Sequence, residues 1–86
     1  MQYDLIIKPS AERSLDKLSH PIRRRIVDAM KELRNNPRPV GVVKLAGCDN
    51  LWRIRIGNYR AVYEIHDDHL LVLVLRVAHR KDIYRP

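Results

Sequence analysis

The 86-residue chain contains no phenylalanine, one tryptophan, three glycines and a single cysteine. Without Phe, the packing falls to Leu, Ile and Val. Cys48, being alone, excludes an internal disulfide and fits a reducing, cytoplasmic setting. It has no neighbouring motif of the kind a catalytic thiol needs. No apolar run approaches the ~20 residues that span a bilayer, and none at the start resembles a signal peptide, so no membrane role is expected. The apolar run at 70–75 has only the length of a buried strand. Acidic residues are also scarce, with 10 Asp and Glu against 17 Lys and Arg, a formal charge of +7. So strong a field on so short a chain favours nucleic acid or an acidic partner. Of the 17 cations 12 are Arg, which grips phosphate with a planar fork and stays charged at any working pH.

The length fits a single domain over residues 1–86, whose small core needs every element to contribute. Residues 3–8 read as a short strand. Pro9 and Ser10 then open a helix, with Ser10 as its expected N-cap. Ala11, Leu15 and Leu18 form its apolar stripe. Ser19, His20 and Pro21 start a second helix, with a stripe of Ile22, Ile26, Ala29, Met30 and Leu33, ended by Asn35, Asn36 and Pro37. Residues 42–45, 51–56, 59–66 and 70–78 read as strands, with tight turns at Gly57-Asn58 and Asp67-Asp68. The fold class is α+β: an N-terminal strand, an antiparallel two-helix hairpin, then an antiparallel β-meander. The helices are expected to cover one face of the sheet and leave the other open. The short strands at 3–8 and 42–45 are the candidate edges, and 70–78, apolar on both parities, the expected central strand.

Alternation along a strand then sorts the side chains. Trp52, Ile54 and Ile56 fall on the core side, and Arg53 and Arg55 on the other. Ala61, Tyr63 and Ile65 oppose Arg60, Val62, Glu64 and His66. Leu71, Leu73, Leu75 and Val77 are expected together on the core side, opposite Arg76, with Arg80 continuing that parity. One register thus places Arg53, Arg55, Arg60, Arg76 and Arg80 on the open face. Like charges on neighbouring strands destabilise a sheet. With only Glu64 in opposition, that crowding points to a bound polyanion, the bland alternative being a solvated face with Glu64 paired to Arg60 or Arg76. Arg23, Arg24 and Arg25 fan around their helix and read mainly as a solvated face, with docking of a large RNA as the alternative. His66 and His69 flank a turn and His20 lies at a helix start, without ligand spacing, so neither metal nor cofactor is expected.

Four segments follow one another in fixed order: Lys44-Leu45-Ala46-Gly47, Leu51-Trp52-Arg53-Ile54-Arg55, Asn58-Tyr59-Arg60-Ala61-Val62-Tyr63, and Val77-Ala78-His79-Arg80-Lys81-Asp82-Ile83-Tyr84. No one segment is specific, but the ordered set resembles the RelE toxins of toxin–antitoxin modules, within the RelE/ParE superfamily, over essentially the whole chain. The resemblance implies a four-stranded antiparallel sheet, no metal, and an endoribonuclease that cuts mRNA, usually in the ribosomal A site, and so stops translation. It implies basic site residues at Arg53, Arg55, Arg60 and Arg80 and a tyrosine at Tyr84. It also implies a cognate RelB-type antitoxin, with operator DNA bound only through the toxin–antitoxin pair. Well-known members carry Lys where this chain has Arg53 and Arg55, and often Lys where it has His79.

On that basis Arg60 and Arg80 are expected to clamp the scissile phosphate, with Arg55 steadying the charged transition state. His79 and Tyr84 are the candidates for proton transfer, since an arginine cannot readily act as a base. Arg53, Lys44, Arg76 and Lys81 are expected to hold the RNA to either side. Two other functions use the same fold or face: a ParE-like toxin that inhibits DNA gyrase by protein contact, and an RNA-binding module that does not cut.

Overall fold

The computed structural model describes residues 2–47 and 50–83, so the expectations at Cys48 and Tyr84 lie outside the described residues. The elements run β1 (Asp4–Ile7), α1 (Pro9–Asp16), α2 (His20–Glu32), β2 (Val43–Lys44), β3 (Leu51–Ile56), β4 (Tyr59–His66) and β5 (Leu71–His79). The α+β architecture is the expected one. The sheet has five strands rather than four, in the order β1-β5-β4-β3-β2. It is mixed, because β1 pairs with β5 in parallel while the other pairings are antiparallel. β1 and β2 are the edges; the central strand is β4 rather than the expected 70–78, because β1 adds only one strand beyond β5 while β3 and β2 lie beyond β4.

Each helix forms because a proline opens it and an apolar stripe gives it something to bury. Pro9 is the first residue of α1, where its missing N–H costs nothing. That makes Lys8 the N-cap and moves Ser10 into the first turn; its hydroxyl instead donates to the Leu75 carbonyl at 3.4 Å. Ser19, in extended conformation, precedes α2, with Pro21 in the first turn. Ala11 and Leu15 of α1 and Ile26 and Met30 of α2 are buried, together with Leu33 just beyond. They pack in one cluster with Ile56, Ala61, Tyr63, Ile65, Val72, Val74 and Val77 of the sheet. Both helices therefore lie on one side of it.

The register of β5 departs from simple alternation, and the reason is a bulge. Tyr63 pairs with Val74 but Val62 pairs with Arg76, so Leu75 is an extra residue on β5. Before the bulge, Val72 and Val74 face the helices and Leu71 and Leu73 face away, the reverse of the expected assignment. After it, Val77 is on the helix side and Arg76 on the open side, as expected. An apolar strand offers no polar residue to reveal which parity is inside, and the inserted residue resets the count halfway along.

The far end of the sheet, away from the β3–β4 turn, is closed by a polar clasp. Arg38 donates to both carboxylate oxygens of Asp67, at 2.8 and 3.2 Å, and the Tyr3 hydroxyl donates to the same carboxylate at 2.7 Å. The Arg38 guanidinium also lies 5.0 Å from the Trp52 ring centre. Beneath it the buried Tyr63 hydroxyl donates to the Pro37 carbonyl at 2.8 Å, and burial pushes that phenol up to about 12. Two of these long-range contacts pin the 33–42 connection to the β4–β5 turn and to β4, and the third ties Tyr3, just before β1, to the same turn. Hydrogen bonds from Arg38 and Tyr3 lower the Asp67 carboxyl from 3.8 to about 2. A depressed acid stabilises the fold above its unfolded value and loses that contribution as pH falls through the folded one. The melting temperature of Asp67→Asn should therefore lie below that of the parent at neutral pH, and the gap should close between about pH 4 and pH 2. Tyr63→Phe should cost about 1 kcal/mol in denaturant unfolding, because it strands the buried Pro37 carbonyl.

Candidate nucleic-acid interface

The face of the sheet without helices carries two rows of side chains set by the register. Arg53 stands across from Val62, and Val62 across from Arg76. One step along, Arg55 stands directly across from Arg60, and Arg60 across from Ala78. Two arginines at directly opposed positions repel, and local stability alone offers no reason for them. Glu64 does not relieve them. Its carboxylate is taken by His66 at 2.8 Å, on the same strand and face.

The hydrogen bonds show how the cluster is held. Arg60 is half-buried and its Nη1 donates to the carbonyls of Gly57, at 3.3 Å, and Tyr59, at 3.0 Å. Arg55 Nε points to the same Gly57 carbonyl at 3.4 Å. Gly57 is the first residue of the two-residue turn between β3 and β4, with φ +60, and Asn58 follows with negative φ. That is the II′ pattern, which favours glycine at the first position. The turn therefore presents a carbonyl on which two guanidinium groups converge. Desolvation, followed by the charges of Arg55, Arg53 and Arg80, lowers the pKa of the Arg60 guanidinium. Its cationic form is short of compensating negative charge, which an anion would supply.

Arg80 lies one residue past β5, and its backbone N–H donates to the Asn58 carbonyl at 2.7 Å, which continues the β4–β5 ladder by one step. The turn that follows is fastened three ways. Asp82 N–H donates to the His79 carbonyl at 2.8 Å, Lys81 N–H donates to His79 Nδ1 at 3.2 Å, and Arg76 Nη2 donates to the Asp82 carbonyl at 2.6 Å. Ile83, buried at 5% exposure, anchors its end. Arg76 thus shares the open face with the other arginines, but its guanidinium braces the turn that carries Arg80. Sequence reasoning missed this role, because no local signal couples a strand residue to a carbonyl six positions later.

Two expected site residues are placed elsewhere. His79 pairs across the ladder with Tyr59, and the two rings meet edge to face at 5.4 Å on the helix side of the sheet. Nδ1 accepts a hydrogen bond from the Lys81 N–H, so the ring braces the turn. Lys44 pairs with Trp52, so it too falls on the helix side, its ammonium 5.8 Å from that ring. β2 puts Val43, not Lys44, beside Arg53. Lys81 is exposed in the turn next to Arg80. Among the described residues Arg55, Arg60 and Arg76 bond to backbone carbonyls and to no carboxylate. No described group of three His, Cys, Asp or Glu side chains converges as a metal centre would. Removing one of the opposed charges should relieve the sheet. Arg55→Gln should raise the melting temperature at low ionic strength, and the gain should shrink towards 1 M salt, where charges are screened within about 3 Å.

Known proteins share this fold and resemble the chain in sequence. The family described as the ParE toxin of the type II toxin–antitoxin system parDE matches residues 5–84. Toxin RelG of Mycobacterium tuberculosis is 37% identical over 99% of this chain and 99% of its own length. Toxin RelE3 of Methanocaldococcus jannaschii is 39% identical over 73% of this chain and 74% of its own. A chain of the archaeal RelE–RelB complex of Pyrococcus horikoshii superimposes with a TM-score of 0.84 at 26% identity, covering 95% of this chain and 99% of the other. A chain of the M. tuberculosis RelBE2 toxin–antitoxin complex does so at 0.80 and 33% identity, covering 93% and 100%. Family match, whole-length relatives and superimposed folds coincide, and the chain belongs to the RelE/ParE family, the toxins of type II toxin–antitoxin systems.

Proposed function

We propose that this toxin is an endoribonuclease that cuts mRNA, working in the A site of translating ribosomes in the cytoplasm, and that Arg53, Arg55, Arg60 and Arg80 form its site. The observation that carries the proposal is Arg60, which stands directly across from Arg55 and shares the Gly57 carbonyl with it. Desolvation and the charges of Arg55, Arg53 and Arg80 lower its pKa. A phosphodiester reverses that penalty, because it brings negative charge to where the guanidinium lacks it.

RNA supplies its own nucleophile. The ribose 2′-OH attacks the adjacent phosphorus, the P–O5′ bond breaks, and the products are a 2′,3′-cyclic phosphate and a 5′-OH. Negative charge builds on the phosphorane oxygens as this happens, and preformed donors there are usually the largest catalytic contribution. Arg60 and Arg80 clamp those oxygens, with Arg55 beside them. Arg53 and Lys81 hold the flanking backbone. The guanidinium groups supply the positive charge, so the reaction needs no metal. Arginine remains a poor base, and His79 faces the helices, so Tyr84 is the proton-transfer or base-stacking group in this scheme. Arg76 and His79 act as positioning residues for Arg80. A RelB-type antitoxin with an acidic segment would silence the toxin by covering this face, and the pair would reach operator DNA through the antitoxin. Solved complexes of relatives with RelB support that partnership.

Mapping of mRNA 5′ ends on translating ribosomes tests the reading. The wild type should create new ends bearing 5′-OH, and a 2′-deoxy nucleotide at the cleaved position should abolish them. Arg60→Ala and Arg80→Ala should each lower the rate by about 10²-fold or more, and Tyr84→Ala should lower it within the 10²–10⁴-fold range of general acid–base catalysis. No new ends together with inhibited DNA supercoiling would replace the nuclease with a gyrase poison. Bound but intact RNA would leave a non-cleaving module.

A further inference from the structure

The turn at Gly57 is approached from both sides of the sheet. From the open face come Arg55 Nε and Arg60 Nη1, both directed at its carbonyl. From the helix side comes Arg25 of α2, whose Nη1 lies 3.1 Å from where a Gly57 side chain would begin. Three guanidinium groups from three elements thus meet at one glycine, which leaves room for the third because it has no side chain. The positive face does not stop at the edge of the sheet but turns the corner onto α2.

The path beyond Arg25 follows from helical geometry. Successive residues rotate by about 100°, so Arg25, Arg24 and Arg23 form a belt across the helix rather than a stripe along it. Arg25 is on the flank towards the β3–β4 turn, sharing a groove with Ile56, Gly57, Asn58 and Tyr59. Arg24 is exposed on the outer crest, beside His20 and Lys31, with Asp28 as the acidic neighbour. Arg23 is half-buried; it borders the same groove as Arg24, with Nη2 3.4 Å from His20 Nδ1, and reaches the opposite flank, where Glu12 and Asp16 of α1 line a groove with it. No acidic residue stands in the first turn of α2, and among the described residues Arg24 and Arg25 have no ion-pair or hydrogen-bond partner.

We infer that the RNA strand bound on the sheet continues over the Gly57-Asn58 turn, and that Arg25 and then Arg24 bind its flanking phosphates, while Arg23 takes no part. This rests on the reading of the sheet face as an RNA site and extends it to a footprint longer than the cleavage centre. A backbone crossing a helix meets a transverse belt of cations at right angles to the axis, and consecutive arginines provide such a belt.

The salt dependence of binding tests it. Two RNAs with 2′-deoxy nucleotides to block cleavage, of about four and about twelve nucleotides, are titrated by fluorescence anisotropy over a range of salt concentrations. Each neutralised phosphate on a single strand contributes about 0.7 to the slope of log affinity against log salt, so two more contribute roughly 1.4. The wild-type slope should be steeper by that amount for the long strand than for the short one. In Arg24→Ala/Arg25→Ala the long-strand slope should fall to the wild type's short-strand value, whereas Arg23→Ala should keep the wild-type slope. An unchanged slope in the double variant overturns the inference, and so does an equal loss in Arg23→Ala, which would show a diffuse field. A double variant that loses antitoxin binding but keeps the long-strand slope assigns the belt to a protein partner and also overturns it. If the short strand fails to bind the wild type, the sheet-face reading itself falls, a result distinct from all the others.

Discussion

The arrangement depends on one unfavourable interaction, the repulsion between Arg55 and Arg60 at directly opposed positions of β3 and β4. The sheet accepts it because the groups are held by backbone carbonyls, above all that of Gly57, and because the helix side supplies the stabilisation. Twelve buried residues on that side form one cluster, in which Tyr63, Met30, Val72 and Val74 are fully covered. Stability and function are thus divided between the two faces of one layer. The helix face is apolar and closed. The open face concentrates like charge, a local cost that makes sense when a ligand completes it.

The two ends of the sheet are divided in a similar way. At the end of the β4–β5 turn, Asp67 is satisfied by Arg38 and Tyr3 and its carboxyl is held far below the ordinary range. There cation and anion are matched. At the opposite end, Arg55 and Arg60 meet at the Gly57 carbonyl, and Arg76 bonds to the Asp82 carbonyl in the turn after β5. The matched end fixes the chain's connections. The arginine-rich end is where the proposed RNA would bind.

Much of this was legible in the sequence. The α+β order, the edge strands, the helix stripes and the placement of Arg53, Arg55, Arg60 and Arg76 on one face follow from periodicity and turn residues, because β3 and β4 alternate cleanly. β5 does not alternate, and its Leu75 bulge is set by pairing with β4, which no local pattern encodes. Arg76 reached the correct face in the sequence reading although Leu71 and Leu73 did not, since the bulge restores parity after the point where it was lost. The side on which His79 lies is not encoded by its being next to Arg80, since adjacent strand residues point in opposite directions and Tyr59 meets its ring on the helix side. The ordered motif that includes Lys44 does not show its side; pairing of the two-residue β2 with β3 sets it beside Trp52. The Arg38–Asp67–Tyr3 clasp joins residues far apart in the chain, so only the fold brings it into view.

The central claim is that the arginines of the open face await a polyanion. It is tested most directly by following arginine Nε–Hε resonances while a cleavage-blocked RNA is added to the protein. Arg55, Arg60 and Arg80 should shift together and saturate at one equivalent, with Arg38, locked to Asp67, unmoved. Shifts confined to arginines away from that face, or none at all, would contradict the account.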